Sequence, residues 1–177
     1  MKKLVFMTLF LFLISACSTS TSGNANREYV KKLDKAQSNM EEYANDNFDI
    51  VQDYLDVWYN DLNSRLAFNN GRIGVIGKYN QYVEKGDIKV SLDRHKKMEK
   101  TINELKDTPS GYEKVYESLV EMFEAYDKSA ILATNPAYYL VDGGVNDYEI
   151  FSKEAENTNE LFRDTNDKAE VLIEGKK

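Results

Sequence analysis

The sequence predicts an all-α fold, an antiparallel up-down bundle of about four helices with a long first helix. Three observations carry that expectation. Apolar residues recur at three- and four-residue steps over most of the chain, the pattern of one buried helix face. No alternating apolar and polar run of comparable length competes as a strand. Helix-stopping signals fall between the periodic segments, at Asn69-Asn70-Gly71, Thr108-Pro109 and Asn135-Pro136.

Helix one is expected from Asn26 to Phe68, with Tyr29, Leu33, Ala36, Met40, Ala44, Val51, Leu55, Trp58, Leu62 and Leu66 in its apolar stripe. Asn26 reads as its N-cap, with Glu28 in the first turn. At about 64 Å it outruns its partners, so it either bends or protrudes. Asn45-Asp46-Asn47 is its weakest stretch and the place for a kink. Residues 69–87 carry Gly71, Gly74, Gly77 and Gly86 and read as a loop, with a short helix around Gly77–Glu84.

A second helix is expected from Ile88 to Lys106, with Ile88, Leu92, His95, Met98, Ile102 and Leu105 on one face. Ser110-Gly111-Tyr112-Glu113 then matches a capping box, in which the serine oxygen and the glutamate each satisfy an unpaired backbone N–H. The third helix carries Val115, Leu119, Met122, Phe123, Tyr126 and Ala130. A loop over 137–145 holds Tyr138-Tyr139 and Gly143-Gly144. Asn146 to Glu149 repeats the capping pattern before a fourth helix with Tyr148, Phe151, Ala155, Leu161, Phe162, Ala169 and Leu172.

The amino terminus sets an address. Met1-Lys2-Lys3 precedes an apolar run, Leu4 to Ile14, broken only by Thr8. As a helix those residues reach about 17 Å, against the roughly 30 Å of a bilayer core, so the run reads as a signal-peptide core. Ile14-Ser15-Ala16-Cys17 resembles the lipobox of bacterial lipoproteins: a branched apolar residue, two small residues, then cysteine. The resemblance implies a leader over 1–16, a diacylglyceryl group on the Cys17 sulfur and cleavage before it. Two acyl chains hold a protein at a membrane where one binds only marginally. Residues 17–25 then form a lipidated cysteine and polar tether, and 26–175 the helical domain, on the extracytoplasmic face of the cell membrane. The layout is similar to that of small helical lipoproteins of unknown function from low-GC Gram-positive bacteria.

That topology maps the molecule. Helix one starts at the membrane, so the loops at 69–87 and 135–146 are expected at the distal end. Arg27, Lys31, Lys32, Lys35, Lys176 and Lys177 are expected to gather at the membrane end, where basic residues suit anionic headgroups. The whole chain has 23 Lys plus Arg against 30 Asp plus Glu, a net charge of −7. Loss of Lys2 and Lys3 with the leader leaves 21 against 30, or −9. Such acidity argues against a nucleic-acid binder that tracks phosphates. One cysteine and one histidine exclude a disulfide framework, a Cys/His zinc cluster and the two-histidine metalloprotease motif.

The remaining candidates for chemistry have plainer readings. His95 lies on an apolar stripe and reads as a packed boundary residue. Glu113, Glu117, Glu121 and Glu124 share a helix face, and Glu117, Glu121 and Glu124 are expected to pair with Lys100, Lys97 and Arg94 in an interhelical ladder. Asp46, Asp49, Asp53 and Asp56 read as a solvated face. Asp142-Gly143-Gly144-Val145-Asn146-Asp147 lacks the oxygen spacing of an EF-hand, and Gly71, Gly74 and Gly77 lack the ending of a phosphate loop. No metal, cofactor or catalytic residue is therefore expected. Tyr138 and Tyr139 stand out as loop aromatics that either anchor a partner or fold back to plug the bundle.

The function expected on these grounds is a non-enzymatic, lipid-anchored interaction module. Its partners would be the membrane, through Cys17, and an envelope, host or phage protein at the distal loops. The alternatives are a structural or stress-related envelope protein working through charged helix faces, and a small-ligand binder using the bundle core.

Overall fold

In a computed structural model the protein is helical throughout its ordered elements, and no strand occurs among the described residues. The structure describes residues 2–63 and 71–177, with side chains from residue 23 onward. Five α-helices follow in order: α1 Lys2–Asn63, α2 Arg72–Lys85, α3 Asp87–Glu104, α4 Glu113–Thr134 and α5 Val145–Glu174. A 3₁₀ turn, Pro136–Tyr139, lies between α4 and α5. Among the described residues no helix is long and apolar enough to cross a membrane. The Cys17 side chain lies outside the described residues.

Two apolar clusters form the core. One joins Leu33, Met40, Met98, Leu119, Met122 and Phe162 with their neighbours, and the other joins Val51, Tyr54, Trp58, Val75, Leu132 and Phe151. A polar layer lies at the level between them. Asn47 is buried, donates from Nδ2 to Ser129 Oγ at 3.2 Å and accepts from Ser91 Oγ at 2.7 Å. It therefore ties α1, α3 and α4 together where the stripe of α1 would otherwise lack a core residue. This is why the expected weak point at Asn45–Asn47 is continuous helix. A buried asparagine with both ends bonded costs little and fixes the mutual register of three helices.

The ends of the elements meet in two groups. At the near end, Tyr29 Oη donates to the Leu105 carbonyl at 2.7 Å, and Lys177 pairs with Asp34 at 2.8 Å. At the far end, Trp58 Nε1 and the Gly71 N–H both donate to the Gly143 carbonyl, at 3.2 and 2.9 Å.

The elements depart from the expected ones in four places. Among the described residues the count is five helices, because the short helix expected around Gly77–Glu84 extends over Arg72–Lys85. Gly71 and Gly74 let α2 lie against α1: a Cβ at Gly71 would stand 1.9 Å from Trp58 Cδ1, and one at Gly74 2.5 Å from Val57 Cγ1. Close approach, rather than loop flexibility, explains both glycines. Gly86, at φ +88°, then ends α2 and starts α3 in the left-handed conformation that glycine adopts without steric cost.

The second departure is at the start of α1, which runs through 17–25 and through the N-cap expected at Asn26. What begins near that position is packing, since Tyr29 and Val30 are the first buried residues after Gly23. The third is the capping box, which is half formed. Glu113 accepts the Gly111 N–H at 2.8 Å, but the helix starts after Tyr112 without a side-chain cap. Gly111, at φ +85°, turns the chain so that Ser110 does not cap. Finally, α5 starts after Gly144 and not at Asn146.

Candidate functional site

The far end presents an ordered loop with apolar side chains on its outside. Its backbone is fixed from within. Asp147, in the first turn of α5, is buried, and its Oδ2 accepts the N–H groups of Asp142 and Gly143, each at 2.7 Å. A carboxylate that accepts two backbone amides at a helix N-terminus is stabilised by both the bonds and the helix dipole. The same loop's Gly143 carbonyl accepts from Trp58 and Gly71, and Arg72 Nη1 donates to the Val141 carbonyl at 3.4 Å. Trp58 is fully buried, with its ring 5.8 Å from those of Tyr148 and Phe151. Two segments remote in sequence, α1 at Trp58 and the start of α2 at Gly71 and Arg72, thus converge with the nearby Asp147 on one short stretch, 141–143.

Outside this frame the apolar residues face solvent. Ile73 is 84% exposed, Tyr138 73%, Val141 71% and Val145 55%. Single exposed apolar residues are ordinary on protein surfaces. Four on adjoining segments, over a backbone with little freedom, are the composition of a contact surface.

The structure separates the two tyrosines that the sequence grouped. Tyr138 stands out from the 3₁₀ turn. Tyr139 folds back, with its ring 5.2 Å from that of Phe151 and edge-on to Tyr138 at 5.1 Å, and burial raises the pKa of its hydroxyl. One tyrosine plugs the end and the other is displayed. Ile73 and Val141 escaped sequence reasoning because each sits in a glycine-containing segment with no periodic stripe around it. The signal that was available is an apolar residue flanked by turn residues, as in Arg72-Ile73-Gly74 and Leu140-Val141-Asp142.

Other candidates resolve into packing and pairing. His95 stacks on Phe123 and Tyr126 at 5.8 and 6.0 Å, and its Nε2 lies 2.6 Å from Asp127 Oδ1. The charge ladder between α3 and α4 is not formed. Arg94 pairs with Asp46 and Glu42 of α1, Glu121 with Lys168 of α5, and Lys100 with Glu104 in its own helix. The antiparallel pairing of α3 and α4 runs as expected, with Tyr116 Oη on the Ile102 carbonyl at 3.4 Å. The rotation about the helix axes differs, so it is His95 that meets α4 while Arg94 meets α1.

The aspartates of α1 are not merely solvated. Asp53 takes Lys78 at 2.7 Å and a hydrogen bond from Tyr82, so it clamps α2 to α1. The Lys78 and Tyr82 bonds hold its carboxyl below the usual carboxylate range, while burial and then the Asp53 bond push the Tyr82 hydroxyl up. Among the described residues no group of three or more His, Cys, Asp or Glu is placed to hold a metal ion. In the Asp142–Asp147 segment, the Asp147 carboxylate is already committed to the loop's own amides.

No protein-family model, curated protein or solved structure matches the chain.

Proposed function

We propose that this protein is a lipid-anchored, extracytoplasmic interaction module that binds a protein partner of the envelope, of a host or of a phage. Residues 1–16 act as its leader, 17–25 as lipidated cysteine and tether, and 26–175 as a non-enzymatic bundle. In this reading the helices are four alternating arms, with α2 and α3 a single arm broken at Gly86. The meetings of Tyr29 with Leu105, and of Trp58 with the α4–α5 loop, support that alternation. The far end then points away from the membrane.

One observation carries the binding role: Ile73 at the start of α2, Tyr138 of the 3₁₀ turn, Val141 and Val145 are exposed around a loop held by Asp147, Trp58 and Gly71. A rigid backbone lowers the ordering cost of association, and exposed aromatic and aliphatic groups supply the apolar area a partner would bury. The test is photo-crosslinking in intact cells with a reactive residue beside Val141. The unaltered surface should give a discrete adduct that an Ile73→Ser/Tyr138→Ser/Val141→Ser variant loses. The same adducts from both proteins, or none from either, would reject the far-end surface and favour a role for the charged helix faces.

A further inference from the structure

The near end carries a second surface of opposite chemistry. Arg27, Lys31 and Asp34 of α1, Tyr112 at the start of α4, and Lys176 and Lys177 beyond α5 line a cleft of about 340 Å³. Four cationic side chains and one carboxylate thus converge in a chain whose net charge is −7. The sequence predicts basic residues at this end. It could not show that residues about 150 positions apart would close into one concave site with an aromatic wall.

The cations differ in how far their charge is already met. Lys177 is held by Asp34 at 2.8 Å and Glu174 at 2.5 Å, and Lys31 by Glu28 at 2.9 Å. Lys176 is held by neutral groups: its Nζ donates to the Gly111 carbonyl at 2.6 Å and lies 4.9 Å from the centre of the Tyr112 ring. Those contacts orient the ammonium without cancelling its charge. Arg27, exposed, lines the same cleft. An oriented lysine and an arginine lining one cleft are the donor set for a phosphate oxygen pair.

We propose that this cleft binds the phosphate of an anionic phospholipid headgroup, with Arg27 and Lys176 as its principal donors. The proposal rests on the lipid-anchor reading, which fixes where the phosphates are. Gly23 lines the cleft and lies six residues after Cys17. Six residues span at most about 22 Å even when extended, so an acylated Cys17 keeps the cleft at the headgroup layer. Tyrosine is also suited to that layer, with an apolar ring and a polar tip. The bound phosphate would set the tilt of the bundle on its anchor and so the direction in which the far end points.

The test is native mass spectrometry of the full chain, purified from bacterial membranes in maltoside micelles. Phosphatidylglycerol, phosphatidylcholine or inorganic phosphate is added in separate titrations. Arg27→Gln/Lys176→Gln is compared with Lys96→Gln/Lys97→Gln, which removes the same charge from the exposed face of α3. Phosphatidylglycerol should be retained in preference to phosphatidylcholine. The cleft variant should weaken that retention roughly 25-fold, the product of about fivefold for each cation near a lipid surface, and the control variant should not. Equal retention of both lipids, equal loss in both variants, or an adduct reproduced by inorganic phosphate alone would overturn the proposal. The mass of the chain itself reports acylation of Cys17, so failure of the anchor reading appears separately in the same spectrum.

Discussion

At the far end, Gly143 accepts two hydrogen bonds from buried donors and Asp147 closes the loop from within, yet the outer side chains are apolar and exposed. At the near end the arrangement is reversed. The surface contacts are ion pairs between exposed residues, such as Lys31 with Glu28, and the apolar contact beneath them is the edge-on pair Tyr29–Tyr112 at 5.7 Å. One end has a fixed frame with a sticky exterior, and the other a charged exterior over a simpler frame. Exposed ion pairs contribute little and are screened by salt, whereas buried bonds to a tryptophan and an aspartate are costly to break. The far end should therefore tolerate changes on its outside and resist changes in its frame.

The largest effect is expected at Gly71. An alanine Cβ there would sit 1.9 Å from the indole of a fully buried Trp58, which has no room to retreat. The backbone itself is ordinary, at φ −74°, so the penalty is steric alone. Overpacking of this kind costs about 2–3 kcal/mol, read as a fall in the denaturation midpoint at constant m-value. Gly77→Ala is the control, because nothing lies within 4 Å of a Cβ at that position. Similar losses in both variants would mean that α2 does not dock as closely as the far-end frame requires.

A smaller effect, about 2 kcal/mol, is expected from Asp147→Ala, which leaves two loop amides without an acceptor. Hydrogen exchange should accelerate at Asp142 and Gly143 while the amides of α3 keep their protection. Asp147→Asn keeps an acceptor and should fall between the two. If crosslinking at Val141 survives Asp147→Ala unchanged, the frame is not what prepares the surface for binding.

Much of this comparison was legible in the sequence, and the parts that were not have specific causes. Helix identity followed from periodicity: Tyr29, Leu33, Ala36, Met40, Ala44, Val51 and Trp58 are all buried as the stripe requires. The polar layer was hidden because Asn47 looks like a break until Ser91 and Ser129 supply its bonds. Only the part of α2 around Gly77–Glu84 was legible, because glycine lowers helix propensity, and the approach of Trp58 and Val57 shows why glycine is needed at 71 and 74. Leu92, assigned to a buried face, is 43% exposed, and Ser91 takes the inward place beside it. A rotation of that size about a helix axis also accounts for the misplaced ladder, since spacing along a helix fixes the level of a residue but not its azimuth. Of the site, Tyr138 was found, while Ile73, Val141 and the buried Asp147 needed tertiary structure.

The smallest effect is the one that tests the near end by itself. Tyr29→Phe keeps the ring beside Tyr112 and removes only the hydroxyl that donates to the Leu105 carbonyl at 2.7 Å. That carbonyl retains only a long contact from Thr108 Oγ1, at 3.5 Å. Loss of one neutral hydrogen bond costs about 1 kcal/mol, or roughly 2–4 °C in the thermal midpoint of a chain this size. The bond joins the point where the packed part of α1 begins to the end of α3, so its loss should loosen the near end while amide protection of 141–147 stays as it was. A cost that matched Gly71→Ala would reverse the comparison, because the charged end would then hold the tighter frame. A cost near zero would mean that water replaces the bond. The near end would then be held by apolar packing and exposed charge alone, which is also the condition under which a lipid phosphate could most readily reset its orientation.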